Sequence, residues 1–139
     1  MAYSFCMSTL KPIPPRTHAD VDRFNLRLHE EVAKELRAHP AKIAIARANI
    51  IRWKRQLGEG ATRDLDTWLT ILDRSTLDDI LFFLAARTDE AYRLRQSSPF
   101  CGIITQARRM EIFGEVYNVP AARLTDYSQA VSVFNETLI

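Results

Sequence analysis

A chain of 139 residues, 47% hydrophobic and 26% charged, has the length and balance of one globular domain, which excludes wholesale disorder. No apolar run approaches the ~18–20 residues that cross a bilayer. The opening MAYSFCMSTL has neither a basic start nor a long apolar stretch, so the expectation is a cytoplasmic protein without a secretory signal. The formal net charge of +2 conceals a segregation: residues 36–58 carry six basic and no acidic side chains, whereas residues 59–90 carry eight acidic and three basic ones. Alternation of this kind produces a bipolar surface and bears on partners more than on the fold.

Pro12, Pro14 and Pro15 forbid a regular helix at the start and predict an extended arm over 1–16. Thr17 followed by Asp20 forms an aspartate version of a capping box and opens a first helix. Its apolar stripe is Val21, Phe24, Leu28, Val32 and Leu36. His39-Pro40 ends it, and Pro40 suits the first position of a second helix. That helix carries Ile43, Ala46, Ile50, Trp53 and Leu57 on one face and closes at Gly58.

Past the turn Gly58-Glu59-Gly60, Thr62 or Asp64 starts a third helix bearing Leu65, Trp68, Leu69 and Leu72. Ser75 with Asp78 caps a fourth, with Leu77, Ile80, Leu81 and Leu84 inward. Thr88, Asp89 and Glu90 open a fifth, which ends before Ser97-Ser98-Pro99. Thr105 caps a sixth carrying Met110, Ile112, Phe113 and Val116, and Asn118-Val119-Pro120 breaks it. Residues 121–136 have room for one or two further turns. Phe82-Phe83 and Val131-Ser132-Val133-Phe134 are too short to build a sheet. The expected architecture is therefore all-α: a single helical domain over 17–139, a compact bundle of about five to seven short helices, preceded by the arm. Trp53 and Trp68 should be buried where the second and third helices pack.

Catalytic patterns are missing. His18, His29 and His39 lie along the first helix and its ends without an HExxH spacing and read as solvent-facing, so no metal is expected. Four glycines form no phosphate-cradling loop, and Cys6 and Cys101 lie in no CxxC, which suggests free thiols. Asp78-Asp79 is explained by helix capping. Neither a catalytic residue nor a cofactor is assigned.

Three features bear on partners. Arg47, Arg52, Lys54 and Arg55 cover the flanks and back of the second helix; they either bind nucleic acid or an acidic protein, or are neutralised by the acidic 59–90 segment. Residues 106–128 can be laid on a helix-turn-helix, with Phe113, Tyr117, Val119, Leu124 and Tyr127 in its core. Gly114 would then be the small residue at the helix contact, and Asn118 the left-handed turn residue. Its outer face offers Arg123 and Thr125 beside Asp126; the other reading is a plain helix with a packed tail. Finally, Arg93, Arg95, Gln96 and Phe100 join a basic helix end to an apolar anchor able to hold a carboxylate-bearing partner, unless Phe100 is tucked into the core.

The pairing of Ala46-Arg47-Ala48-Asn49-Ile50-Ile51-Arg52-Trp53 with Arg93-Leu94-Arg95-Gln96-Ser97-Ser98-Pro99-Phe100-Cys101-Gly102 resembles a group of small bacterial helical proteins. These accompany toxin-type genes, nucleotidyltransferase-like ones among them. The resemblance spans roughly residues 20–113 and leaves out the arm and the tail after Gly114. It implies a non-enzymatic, antitoxin-like role exercised by binding a partner protein, such as a toxin encoded nearby. The alternative from the residues is a helix-turn-helix DNA-binding regulator. A homodimer is compatible with either, and a membrane partner with neither.

Overall fold

The computed structural model describes residues 17–58 and 62–127; the arm over 1–16, residues 59–61 and the tail beyond 127 lie outside the described residues. Those residues form an all-α fold of six α-helices and two 3-10 turns, with no strand among them. None of these helices is long and apolar enough to cross a membrane.

Helix α1 (His18–Ala38) opens with the reciprocal capping box read from the sequence: Thr17 Oγ1 accepts from the Asp20 N–H and Asp20 accepts from the Thr17 N–H, both at 3.1 Å. Pro40 starts a 3-10 turn (Pro40–Lys42), not the second helix itself, because Ile43 continues this turn in right-handed helical conformation into α2 (Ile43–Leu57). Gly58 ends α2 at φ +74°, a conformation that suits a residue without Cβ. Helices α3 (Arg63–Arg74), α4 (Leu77–Leu84), α5 (Asp89–Arg95) and α6 (Gln106–Tyr117) come next. Thr88 and Thr105 cap α5 and α6 as expected, each accepting a backbone N–H through its hydroxyl. The cap of α4 is Thr76 and not Ser75: Thr76 is the extended residue whose hydroxyl accepts from the Asp79 N–H at 3.2 Å.

Helix α1 lies against α4, α5 and α6, while α2 packs on α3. Val32 and Leu36 of α1 join Ala46, Ile50 and Trp53 of α2, Leu65 and Trp68 of α3, and the inner faces of α4 and α5 in a larger core. Phe24 and Leu28, two turns earlier, form a second core with Ile112, Phe113, Tyr117 and Tyr127. Charged pairs border the α1–α6 contact: Arg27 to Glu115 and Arg108 to Glu31, each at 2.9 Å. Both tryptophans are buried, as expected. Leu57, assigned to the buried stripe of α2, is exposed because it sits in the last turn.

The corner after α6 takes the shape anticipated for residues 106–128, up to a point. Asn118 is left-handed (φ 59°, ψ 44°), and Val119 and Leu124 come down onto Gly114. Beyond the corner the described residues form a 3-10 turn (Ala121–Tyr127) and not an α-helix. A Cβ on Gly114 would stand 2.8 Å from Leu124 Cδ2 and 3.1 Å from the Val119 carbonyl oxygen. The leucine can swing aside, but the carbonyl belongs to the turn. Alanine gains about 1 kcal/mol of helix propensity over glycine, against about 1–3 kcal/mol for overpacking. Gly114→Ala is therefore expected to lower the unfolding free energy and expose Tyr127. A variant more stable than the parent in urea would show that the corner does not pack this way.

Candidate functional site

Chain charge largely neutralises the cationic helix. Arg47 pairs with Asp73 of α3, and Lys54 with Asp66 at 2.5 Å, where the ammonium holds the Asp66 carboxyl below its ordinary range. Arg52 donates to Asn49 Oδ1 at 2.9 Å and lies 5.8 Å from the Trp53 ring centroid. Arg55 is exposed and has no ion pair among the described residues. Arg123 pairs with Asp126 at 3.7 Å. Of the five cations assigned to nucleic acid or an acidic partner, three already face a carboxylate of the same chain.

The set Arg93, Arg95, Gln96 and Phe100 does not form one surface. Arg93 and Gln96 are exposed, and Arg93 holds Asp64 at 2.5 Å. Arg95 and Phe100 are buried and correct the expectation of a partner-facing anchor. The reason for Arg95 is local: α4 ends at Leu84, leaving carbonyls without helical partners. Arg95 Nη1 donates to the carbonyls of Leu84 at 3.2 Å and Ala86 at 2.7 Å, with its guanidinium 4.5 Å from the Tyr92 ring centroid. Phe100 meets Trp68 edge-on at 5.3 Å and His29 at 6.0 Å between centroids.

The two sequence segments that carry the resemblance meet in space. Asn49 Nδ2 donates to the carbonyls of Pro99 at 2.8 Å and Cys101 at 3.0 Å, so α2 holds the Ser98–Gly102 turn in place. Asn49, Pro99 and Cys101 therefore serve the packing of this turn.

Sequence reasoning missed two features. The first is Phe82, which is 80% exposed on α4. Asp78 and Asp79, one turn earlier, share its face. Of the described acids in 59–90, Asp64, Asp66 and Asp73 have arginine or lysine partners, while Asp78, Asp79, Asp89 and Glu90 have no ion pair among the described residues. The alternation Asp-Asp-x-x-Phe was visible, but nothing in it told whether Phe82 or Phe83 faced out.

The second is a polar cluster between α1 and the turn after α5. His29, expected to face solvent, is only 3% exposed. Its Nδ1 lies 2.6 Å from the Asn25 carbonyl, which can only accept, so Nδ1 carries the proton. Nε2 then accepts from the Ser98 hydroxyl at 2.7 Å, and Ser98 Oγ in turn accepts from the Phe100 N–H at 3.3 Å. Burial, and secondarily the nearby Arg95 and Arg109 charges, push the His29 imidazole down to about 4, so it is neutral at pH 7. A narrow cleft of about 20 Å³, room for a water or two, is lined by His29, Ser98, Cys101 and Arg109 with apolar walls of Leu28, Val32, Phe100 and Ile104. No three His, Cys, Asp or Glu side chains among the described residues are grouped to hold a metal ion. No family model matches the chain, and no curated protein or solved structure matches it either.

Proposed function

We propose that this chain is a non-enzymatic, antitoxin-like protein that acts by binding a partner protein, and that the contact centres on Phe82. The observation carrying this reading is a large aromatic ring left 80% exposed beside carboxylates that no cation among the described residues neutralises. Exposed aromatics of this kind supply the few residues that dominate an interface, and unpaired charge at the rim steers association. The complementary partner has an apolar pocket rimmed by Lys and Arg, the surface expected of a toxin that acts on nucleotides or nucleic acid. The helix-turn-helix reading draws support from the Gly114–Asn118 corner. Against it, Arg47, Lys54 and Arg123 already face carboxylates.

Co-expression with the product of the neighbouring gene tests the proposal. A stable complex and relief of toxicity are expected, with affinity falling at least about 30-fold in Phe82→Ser, a hot-spot loss. The thermal midpoint of the free variant should stay unchanged, since Phe82 contributes little to the core. Absence of any complex sinks the antitoxin reading. A complex that ignores Phe82→Ser sinks the contact.

A further inference from the structure

We infer that Cys101 is a redox-sensitive thiol, oxidised by hydrogen peroxide to a sulfenic acid in the narrow cleft between α1, α6 and the Ser98–Gly102 turn. The site is separate from the Phe82 face, and its test does not depend on a partner protein.

The first support is a missing counter-charge. Arg109 lines the cleft from α6, is nine-tenths buried, and makes no hydrogen bond or ion pair with any described residue. A buried guanidinium without a counter-charge is expensive. The neighbouring Arg108 shows the contrast: it points outward and meets Glu31, Glu111 and Glu115. Facing Arg109 from α1 is His29, which is neutral, and the Ser98 hydroxyl does not ionise. Of the described side chains that line the cleft, Cys101 alone can carry a negative charge. Burial works against the Arg109 charge, and the Cys101 thiolate favours it. That attraction is mutual, so Arg109 favours the thiolate, the nucleophilic form of cysteine. Arg52, behind Asn49 on α2, adds positive charge from the other side. The Arg109 Nε–H is sealed from solvent, so the guanidinium acts through its charge and does not hold the oxidant.

The second support is size. A space of about 20 Å³ admits a water or two. Hydrogen peroxide, two bonded oxygens, is of that size, whereas a peptide disulfide such as oxidised glutathione is not. Cys101 is half-buried, and Asn49 Nδ2 holds its carbonyl at 3.0 Å, which fixes the residue at the cleft wall. In the reaction the thiol first loses its proton to solvent. The thiolate sulfur then attacks one peroxide oxygen, and an S–O bond forms as the O–O bond breaks. The second oxygen leaves as hydroxide and takes up the solvent proton as water. Sulfur is oxidised by two electrons and peroxide is reduced by two.

The experiment treats the full chain carrying Cys6→Ser with limiting hydrogen peroxide and maps the product by peptide mass spectrometry. A gain of one oxygen at Cys101, reversed by dithiothreitol, is expected at least about five-fold faster at pH 7 than for N-acetylcysteine. The pH profile of this rate should have its midpoint below the ~8.5 of an ordinary thiol. Oxidised glutathione should react with Cys101 more slowly than with N-acetylcysteine. Arg109→Gln should slow the peroxide reaction at least about five-fold and raise the midpoint, while Arg109→Lys keeps the charge and most of the rate. If Arg109→Gln does not fold, the pH profile and the contrast between the two oxidants decide alone. A rate or midpoint matching that of N-acetylcysteine, an oxygen gain that dithiothreitol does not reverse, unhindered reaction with oxidised glutathione, or an unchanged rate in folded Arg109→Gln overturns the proposal.

Discussion

Trp68→Ala is expected to remove about 3–5 kcal/mol of stability, a large part of the roughly 5–15 kcal/mol typical of a domain. Trp68 is fully buried at the junction of α3 with α4, α5 and the Ser98–Gly102 turn. Its indole meets Phe83 edge-on at 5.7 Å and Phe100 at 5.3 Å between centroids, and its Nε1–H donates to the Leu94 carbonyl at 2.9 Å. Alanine removes the ring from three neighbours at once and strands that carbonyl. Trp68→Phe keeps much of the apolar volume and loses the hydrogen bond, so about 1–2 kcal/mol is expected. Trp53 is also buried, but it borders the exposed Arg52 at the edge of the core, and its truncation should cost less. Urea unfolding of the three variants gives the order; a Trp68→Ala loss below about 1 kcal/mol would contradict the packing described.

Acidification from about pH 6.5 to 4 is expected to remove about 3 kcal/mol through one histidine. His29 holds its proton only near pH 4 in the fold, against 6.5 ordinarily. The unfolded chain therefore binds that proton first. Stability is complete above about pH 6.5 and falls as the pH drops toward 4, the direction set by an imidazole buried neutral. Glu31, Glu35 and Asp66, held below their ordinary values by Arg108, Lys42 and Lys54, also lose stabilisation on acidification, but at lower pH. The slope between about pH 6.5 and 4.5 thus reports His29. In His29→Gln, which can still bridge Asn25 and Ser98, that slope should flatten; an unaltered slope would place the proton uptake elsewhere.

Helical order, the threonine caps at Thr17, Thr88 and Thr105, and burial of both tryptophans were legible because each depends on short-range patterns. The one-residue shift from Ser75 to Thr76 was not, since adjacent hydroxyls can both cap and the backbone decides. His29 and Arg95 were hidden for a different reason. A stripe spaced three and four apart describes a helix with one buried side, whereas α1 touches three helices, so Asn25 and His29 beside the stripe are buried as well. Arg95 is one residue beyond Leu94 and becomes internal only because the end of α4 lies against it. Polar residues that satisfy another element's backbone leave no periodic trace in their own segment.

Among the described helices, α1 alone supplies buried side chains to both cores: Phe24 and Leu28 to one, Val32 and Leu36 to the other. The larger core therefore cannot unfold without releasing the smaller one, whereas the smaller can open while the larger stays intact. Detaching α6 and its 3-10 tail bares the N-terminal half of α1 while the C-terminal half stays docked. Amide exchange along this single helix should be graded, with slow protons toward Leu36 reporting global unfolding and faster ones around Phe24 reporting the smaller opening.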